Sequence, residues 1–425
     1  MTQHQHIDSW YAASANAFPT LPALEGDTTV DVCIIGAGMT GCATALDLAA
    51  RGYKVLVLDG ARVGWGASGR SGGQFIHDYA CGNHKLQALV GKDDARKHWD
   101  ISIQALDLVR ERVRQHNIDC DLQDGYCAVA IKERQRDALL EEQEFLASEY
   151  NFSTEFWDGE ALSQRLNSSR YIAGLYDGRS GHLHPLNYTL GLAQAALNAG
   201  ARIVEQTRAT GIEHGSKVRV KTDRGTVTAS FVVLGGNAYL GELVPQLDRK
   251  IMPVGTYIMA TEPLGQERAE SLIRNGMCVC DTNFVLDYFR LSSDYRLLFG
   301  GRVSYSRLEP LNLTQRLYNH MVRVFPQLNG VQPAYTWGGY VDITMNRAPH
   351  FGRLAPNVYF AQGFSGHGVA LTGMAGRLIA DAITGQAERF DLFGKIPHHD
   401  FPGGRRFRTP ALVLAMAWYR LRDLL

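Results

Sequence analysis

Residues 30 to 59 consist of two apolar segments that flank a glycine turn and an alanine-rich stretch, and they read VDVCIIGAGMTGCATALDLAARGYKVLVLD. The apolar segments predict two strands, and the alanine-rich stretch that ends at Gly52 predicts a helix. Strands that are apolar at nearly every position are typical of a parallel sheet covered on both faces. The pattern therefore predicts one βαβ unit near the start of the chain.

The pattern changes further along the chain. Apolar residues at helical spacing predict amphipathic helices in DDARKHWDISIQALDLVRERVRQH and KERQRDALLEEQEFLASEY, with a strand at 125 to 132 between them. Beyond residue 200, β-branched residues at period two predict antiparallel strands, and DRG at 223 to 225 predicts a hairpin turn. Residues 357 to 385 predict a strand, a glycine turn and a helix. Parallel-sheet segments therefore bracket a middle of helices and antiparallel strands.

Charge and cysteine content narrow the function classes. Lys plus Arg equals Asp plus Glu at 43 each, so no net charge attracts nucleic acid or an anionic membrane, and we expect no nucleic-acid partner. The seven cysteines form no C-x-x-C pair, which is typical of reduced thiols and favours a cytoplasmic location.

The composition of the two chain ends predicts neither an export signal nor a membrane anchor. The amino-terminal residues lack a basic segment followed by an apolar one. The apolar stretch at 411 to 419 is far shorter than the roughly 20 residues that a spanning helix needs. We expect a packing helix there and no transmembrane segment.

Gly36, Gly38 and Gly41 form a G-x-G-x-x-G motif between the first strand and the helix. In a dinucleotide site the first glycine makes the turn, the second admits the pyrophosphate and the third lets helix and strand pack. The second strand ends at Asp59, whose carboxylate can accept hydrogen bonds from ribose hydroxyls and would repel a 2′-phosphate. The context favours NAD or FAD over NADP and over an ordinary tight turn.

A second glycine-rich stretch, GWGASGRSGGQ at 64 to 74, favours FAD. A nicotinamide enzyme needs no such loop directly after the ribose-binding acid, whereas a larger cofactor that spans the crevice does. FVVLGGNAYLG, which ends a strand at Gly235 and Gly236, and GFSGHGV, which opens the last helix, add two further turns where the backbone can approach a nucleotide. The alternative for the loop is a flexible surface segment.

Together GAGMTG, GWGASGRSGGQ, GGNAYLG and GFSGHGV resemble the D-amino-acid-oxidase-type flavoprotein family. Segments such as GHLHPLNY, DYFRLSSDYRLLFGGRV and PHHDFPGGRRFRTP are similar to the branch of that family that oxidises gamma-glutamylputrescine. Two positions depart from the family pattern, because Asp59 stands where glutamate is common and Ser71 where asparagine is usual.

The resemblance implies an FAD site, an amine substrate and molecular oxygen as the electron acceptor. The implied FAD contacts are Gly36, Gly38, Gly41, Asp59, Ser68, Arg70, Gly72, Gly73, Gln74, Thr210, Asn237, Gly363, Gly366, His367 and Val369, with the backbone around Ala209. Some relatives attach the flavin to a cysteine before the last helix. Residues 331 to 375 contain no cysteine, so we expect non-covalent FAD.

The resemblance also implies a mixed α/β (α+β) fold of the glutathione-reductase type. In that fold a Rossmann-like FAD-binding domain is interwoven with an antiparallel-sheet substrate domain. The division that we expect assigns 1–84, 180–250 and 335–390 to the FAD-binding domain. It assigns 85–179 and 251–334 to the substrate-binding domain and leaves 391–425 as a helical tail.

Aromatic residues of the middle region are candidates for the walls of an amine pocket: Tyr257, Tyr288, Phe289, Trp337 and Tyr340. Core packing is the alternative for each of them. Arg290 and Arg302 are candidates for binding a distal carboxylate, with surface ion pairing as the alternative. His367 is a candidate contact of the flavin or the amine, with helix capping as the alternative.

His182 and His184 lack an acidic or cysteine companion for zinc, so we expect no metal and a helix start there instead. The expected activity is oxidation of the terminal amine of gamma-glutamylputrescine, or of a related polyamine derivative, to an aldehyde with release of ammonia and hydrogen peroxide. A D-amino acid or glycine-type dehydrogenase that reduces a quinone is one alternative. A non-catalytic flavin-binding module is another.

Overall fold

A computed structural model describes residues 5–304 and 311–404. In chain order the strands are β1 (Thr28–Ile35), β2 (Val55–Leu58), β3 (Gln74–Phe75), β4 (Gln123–Ala130), β5 (Glu155–Trp157), β6 (Ala173–His182), β7 (Arg202–Val204), β8 (Ala209–Glu213), β9 (Val218–Thr222), β10 (Gly225–Leu234), β11 (Met252–Thr261), β12 (Cys278–Asp281), β13 (Tyr288–Leu291), β14 (Leu297–Ser304), β15 (Pro333–Ile343), β16 (His350–Ala355) and β17 (Val358–Gln362).

The helices follow the same order. They are α1 (Trp10–Ala13), α2 (Met39–Ala49), α3 (Asn83–Val90), α4 (Lys92–Gln115), α5 (Glu133–Tyr150), α6 (Gly159–Ser163), α7 (Pro185–Asn198), α8 (Pro245–Asp248), α9 (Gln266–Leu272), α10 (Leu313–Val324), α11 (Gly368–Ile383) and α12 (Glu388–Asp391). Short 3₁₀ turns span Ala67–Gly69, Asn237–Tyr239, Gly241–Leu243, Pro326–Leu328 and Leu392–Lys395.

The first sheet has the strand order β16-β17-β10-β1-β2-β7, with β9 pairing to β10 and β8 to β9. Strand β1 pairs in parallel with both β10 and β2, and β17 and β7 extend the parallel part on either side. The βαβ unit predicted from residues 30 to 59 is confirmed as β1, α2 and β2. The predicted DRG turn joins the antiparallel pair β9 and β10.

Both faces of this sheet are buried, as its apolar strands predict. Val32 and Ile34 of β1 pack with helices α2, α7 and α11 in the largest core. Cys33 and Ile35 point to the opposite face, where the β8–β9 hairpin covers them in a second core. Successive residues of a strand point to opposite faces, and an uninterrupted apolar run is therefore needed to fill both cores.

The second sheet has the order β15-β11-β14-β13-β12-β4-β6-β3, and β5 pairs with β6. Its neighbours are antiparallel except β4 and β12. Helices α9 and α10 contribute to the core that covers it. The mixed α/β fold expected from the sequence is confirmed, and so is a strand at 125 to 132, which the structure places at Gln123–Ala130.

Two strands cross boundaries of the expected division of the chain, which itself stays a prediction. Strand β15 begins at Pro333 and pairs with β11 over its whole length, although the division at 335 assigned most of it to the FAD-binding domain. Strand β6 crosses the division at 180. Strand β15 belongs to the second sheet because it forms hydrogen bonds with the long strand β11. The local sequence of β15 does not show that β11 is its neighbour.

The predicted helix at 411 to 419 lies outside the described residues, as does most of the expected tail at 391–425. Within the ranges 5–304 and 311–404, no helix combines the length and the apolar composition that crossing a bilayer requires.

Candidate active site

A cavity of about 960 Å³ opens at the carboxyl ends of the parallel strands. Its lining includes Ile35 at the end of β1, Leu58 at the end of β2, and Gly235 just after β10. Strand β1 lies between β2 and β10, so the chain leaves the sheet in opposite directions at this point. Such a switch point at the carboxyl edge is where open α/β sheets bind ligands.

The turn from β1 into α2 is shaped for close approach to a ligand. Gly36 has φ +107°, a backbone conformation that favours glycine. A Cβ atom at Gly38 would lie 2.7 Å from Oγ of Ser68, and one at Gly41 would overlap the carbonyl oxygen of Gly36. The three glycines therefore have the roles that the motif predicts: a turn, an open approach and tight helix packing.

Asp59 and Ser68 stabilise this turn by accepting hydrogen bonds from its backbone N–H groups. The Asp59 carboxylate accepts hydrogen bonds from the backbone N–H groups of Ala37 (2.7 Å) and Ala61 (2.8 Å). Burial raises the pKa of Asp59 to about 6, despite these two donors. The hydroxyl of Ser68 accepts from the N–H of Met39 at 3.0 Å, in the first turn of α2.

Two helices begin at the cavity, and neither has an acidic residue in its first turn. Met39 and Thr40 of α2 and Gly368 and Val369 of α11 line it. The free N–H groups and the positive end of a helix dipole favour anions. This wall is therefore suited to the pyrophosphate of a dinucleotide.

Buried polar atoms around the cavity also fit a bound cofactor. The side-chain atoms of the described residues that are buried without a hydrogen-bond partner include four near the cavity: Arg70 Nη2, Ser71 Oγ, Asn237 Oδ1 and His367 Nδ1. Buried polar groups are normally satisfied, and each exception needs an explanation. All four belong to the glycine-rich turns that the sequence assigns to FAD. These unpaired donors and acceptors could form hydrogen bonds with the polar atoms of FAD. The residues around the cavity therefore fit this cofactor.

The predicted FAD residues divide into two groups by position. Those that line the cavity are Gly36, Gly38, Asp59, Ser68, Thr210, Asn237, Gly366 and Val369, together with Ala209. Gly41, Arg70, Gly72, Gly73, Gln74, Gly363 and His367 are in the adjoining turns or behind the lining. Their contact with FAD stays a prediction.

Arg290 fixes the loop that carries Gly72 and Gly73. Its Nε donates to the carbonyl oxygen of Gly72 at 2.8 Å, and Nη2 donates to the carbonyl of Leu183 at 3.0 Å and the hydroxyl of Tyr11 at 3.1 Å. The side chain is 2% exposed. The prediction that Arg290 binds a substrate carboxylate is therefore wrong, because internal acceptors take its donors. Arg302 lies on β14.

The aromatic candidates have different surroundings. The ring of Tyr288 lies 2.9 Å from the position of a Cβ at Gly72, so it packs directly on the glycine loop. Trp337 donates from Nε1 to the carbonyl of Arg70 at 3.1 Å. Tyr257 is 7% exposed and belongs to the core of the second sheet. Tyr340 lines the cavity.

Phe289 belongs to the same core as Tyr257 and stacks on Phe299, with ring centroids 5.8 Å apart. It is fully buried. Packing therefore explains Phe289, which lies in this core and not in a pocket wall.

The three histidines also have defined places. His184 is the N-cap of α7, where its ring accepts from the N–H of Asn187, so the expected helix start is confirmed there. His182 ends β6, and its Nε2 lies 2.9 Å from the carbonyl oxygen of Gly276. His367 precedes α11 without a side-chain capping bond, and burial with the nearby Arg347 lowers its pKa to about 4.

No group of three potential metal ligands occurs in residues 5–304 and 311–404.

Three residues that line the cavity are not among those predicted from the sequence. Trp65 and Tyr239 stack edge to face with ring centroids 5.6 Å apart, and Asp342 lies between two turns. A carboxylate within the strand sequence GGYVDIT was the available signal for Asp342.

Comparison with known proteins shows a matching family and two full-length relatives. The model of the FAD dependent oxidoreductase (DAO) family matches residues 31–382. The chain is 42% identical over 420 residues to the gamma-glutamylputrescine oxidoreductase of Escherichia coli strain K12, covering 99% of each chain. It is 43% identical over 426 residues to the probable oxidoreductase OrdL of Haemophilus influenzae, covering 99% of this chain and 98% of that one.

Among solved structures, the glycine oxidase of Geobacillus kaustophilus superposes with a TM-score of 0.74 and 22% identity. The superposition covers 87% of this chain and 99% of that chain. Since the sequences have diverged so far, this likeness shows the fold alone.

Proposed function

The chain belongs to the FAD-dependent oxidoreductase family, and from this we propose that it oxidises the terminal primary amine of gamma-glutamylputrescine or a related polyamine derivative. The proposed products are an aldehyde, ammonia and hydrogen peroxide. The observation that carries the proposal is the 42% identity to the E. coli gamma-glutamylputrescine oxidoreductase, which extends over 99% of both chains.

The overall reaction is R–CH₂–NH₂ + O₂ + H₂O → R–CHO + NH₃ + H₂O₂. Two electrons and two protons leave the amine, and water hydrolyses the resulting imine. Bound FAD supplies the two-electron acceptor for the C–H bond next to nitrogen. Residues Asp59, Ser68 and Asn237, with the first turns of α2 and α11, would hold it in the crevice.

The protein must also keep the amine neutral, because a protonated amine has no lone pair to support oxidation. A primary alkyl amine in water is largely protonated at neutral pH. Burial against apolar walls disfavours the ammonium form and lowers its pKa. We assign this role to Tyr288, which packs on Gly72, and to Trp337 on strand β15 of the same sheet.

Oxygen is the proposed second substrate. Steady-state assays with gamma-glutamylputrescine, putrescine, spermidine and D-alanine test the substrate and the acceptor together. Peroxide and ammonia are measured in air, and reduction of a soluble quinone analogue is measured without air. We expect equimolar peroxide and ammonia with the glutamylated amine and little with the others.

Turnover of D-alanine with the quinone analogue and without peroxide would instead identify an amino acid dehydrogenase. The matched control is Gly41→Ala, which should not hold FAD. Activity that persists in flavin-free Gly41→Ala would come from a contaminating enzyme.

A further inference from the structure

Asp342 is a buried carboxylate at the edge of the FAD crevice. It lies near the end of β15, lines the cavity and is 2% exposed. None of the ion pairs among the described residues involves it. A buried charge without a cation is costly unless hydrogen bonds satisfy it, so its hydrogen-bond partners indicate why it is there.

Its two carboxylate oxygens hold two separate turns. Oδ1 accepts from the side-chain Nδ2 of Asn237 at 2.9 Å, in the turn after β10. Oδ2 accepts a short hydrogen bond from the backbone N–H of Gly363, in the turn between β17 and α11. Asn237 and Gly363 both have positive φ, at +48° and +78°. One side chain thus joins two left-handed turns that form the crevice wall.

The bond to Asn237 also decides which end of its amide faces the cofactor. A carboxylate accepts hydrogen bonds and does not donate them. In the structure the Asn237 amide turns its NH₂ group toward Asp342 and donates to it, as the ionised form of that carboxyl requires. Its other atom, Oδ1, remains buried without a partner, on a residue that lines the cavity. The crevice therefore presents an acceptor at this point.

We propose that Asp342 is a positioning residue for FAD, which orients the Asn237 amide so that its oxygen receives a hydrogen bond from a donor group of the cofactor. Hydroxyl and imide N–H groups of FAD have the required chemistry. Asp342 acts through Asn237 and takes no part in the oxidation. This inference depends on FAD binding and is independent of which amine is oxidised.

A charge-swap cycle tests the proposal by titrating FAD into apoprotein. In Asp342→Asn the new amide uses its oxygen for Gly363 and presents NH₂ to Asn237, which must turn its own NH₂ toward the cofactor. We expect FAD to bind roughly 10- to 100-fold more weakly, the range for a lost hydrogen bond at a buried site. In Asn237→Asp two carboxylates face each other, and we expect a loss at least as large.

The double variant Asn237→Asp with Asp342→Asn restores the pairing in reverse. The new amide at position 342 donates to one oxygen of the new carboxylate at position 237, and the other oxygen of that carboxylate faces the crevice as an acceptor. We expect it to bind FAD roughly tenfold more tightly than either single variant. A purely structural role of Asp342 predicts that urea unfolding of the apoprotein recovers in step with the FAD affinity, whereas the proposed role predicts recovery of the affinity beyond that of the stability. The double variant also supplies the test if a single variant fails to fold, since its hydrogen bonds are complete.

Asp281→Asn is the matched control, because Asp281 is equally buried, accepts from Asn283 and lies outside the cavity lining. Its FAD affinity should stay unchanged. Three results would each overturn the proposal: unaltered affinity in folded Asp342→Asn, a double variant no tighter than the single ones, or an equal loss in the control.

Discussion

Arg290 Nε donates a hydrogen bond to the carbonyl oxygen of Gly72 at 2.8 Å and so fixes the glycine loop to strand β13. The same guanidinium binds the carbonyl of Leu183 and the hydroxyl of Tyr11. A charged planar group with five donors can hold several acceptors in one fixed geometry, which a lysine ammonium cannot reproduce. Arg290 thus connects the amino-terminal helix α1, the turn between β6 and α7, and the predicted flavin loop.

Arg290→Lys should destabilise the protein and weaken FAD binding. The shorter cation leaves one or two buried carbonyl groups without donors, and we expect a loss of about 2–4 kcal/mol in the free energy of unfolding. Urea denaturation measures it. Tyr11→Phe, which removes a single acceptor of Arg290, should lose only about 1–2 kcal/mol. Wild-type stability of the lysine variant would show that the guanidinium geometry is unimportant.

Gly41→Ala should abolish FAD binding. A methyl group at this position overlaps the backbone carbonyl of Gly36, and Cγ2 of Ile34 at 3.3 Å leaves it no space on the other side. We expect at least about 3 kcal/mol of destabilisation or a shifted helix α2. Gly394→Ala is the control, because its added Cβ would meet no atom within 4 Å. Flavin content after purification and the unfolding midpoint distinguish the two variants.

Asp59 should make FAD binding and apoprotein stability depend on pH in opposite directions. Its folded pKa of about 6 is above the unfolded value of 3.8. The folded state therefore binds more protons between these values, and apoprotein stability falls as the pH rises from 4 to 6. The ionised carboxylate is the stronger acceptor for ribose hydroxyls, so FAD affinity should rise over the same interval.

Asp59→Asn should flatten both profiles, since an amide does not titrate. Fluorescence titration of FAD and urea unfolding of the apoprotein, each from pH 4 to 7, provide the measurements. Profiles that keep the wild-type slopes in this variant would assign the titration to another carboxyl group.

A buried charge cluster holds the two helices that begin at the crevice. Asp47 of α2 accepts from Arg112 of α4 at 2.6 Å and from Arg377 of α11 at 3.0 Å. Arg112 is 1% exposed. Asp47→Ala leaves this guanidinium buried without a counter-charge, and we expect a loss of about 3–5 kcal/mol.

Asp381→Ala is the matched control, because Asp381 of α11 forms a more exposed ion pair with Arg51, which lies just after the end of α2. It should cost less than about 1 kcal/mol. Equal stability losses in the two variants, measured by thermal or urea unfolding, would contradict the role of the buried cluster.

The sequence predicts the nucleotide-binding half of the fold well because its signals are local. The turn at Gly36, the helix after it and the acid at Asp59 follow one another within thirty residues. Each is set by backbone conformation or by strand periodicity. The glycine turns near Asn237 and Gly366 are also visible in the local sequence, and the structure brings them to the same cavity.

The rest depends on contacts between distant residues. Arg290 meets Gly72 across 218 positions, and Asp342 meets Asn237 across 105, so neither role is visible in the local sequence. Phe289 has the same strand pattern as a pocket residue but lies in a core, because the face of β13 that it occupies packs on Phe299 and Phe325. The pairing of distant strands decides which residues contact Arg290, Asp342 and Phe289, as it decides the sheet to which β15 belongs.

The most direct test of the proposed function is anaerobic mixing of the FAD-loaded enzyme with gamma-glutamylputrescine, while the visible absorption band of oxidised flavin is followed. We predict rapid bleaching by the glutamylated amine, much slower bleaching by putrescine, spermidine or D-alanine, and recovery of the band with peroxide when air is admitted. Bleaching by D-alanine alone, or by none of these compounds, would contradict the assignment as a gamma-glutamylated amine oxidase.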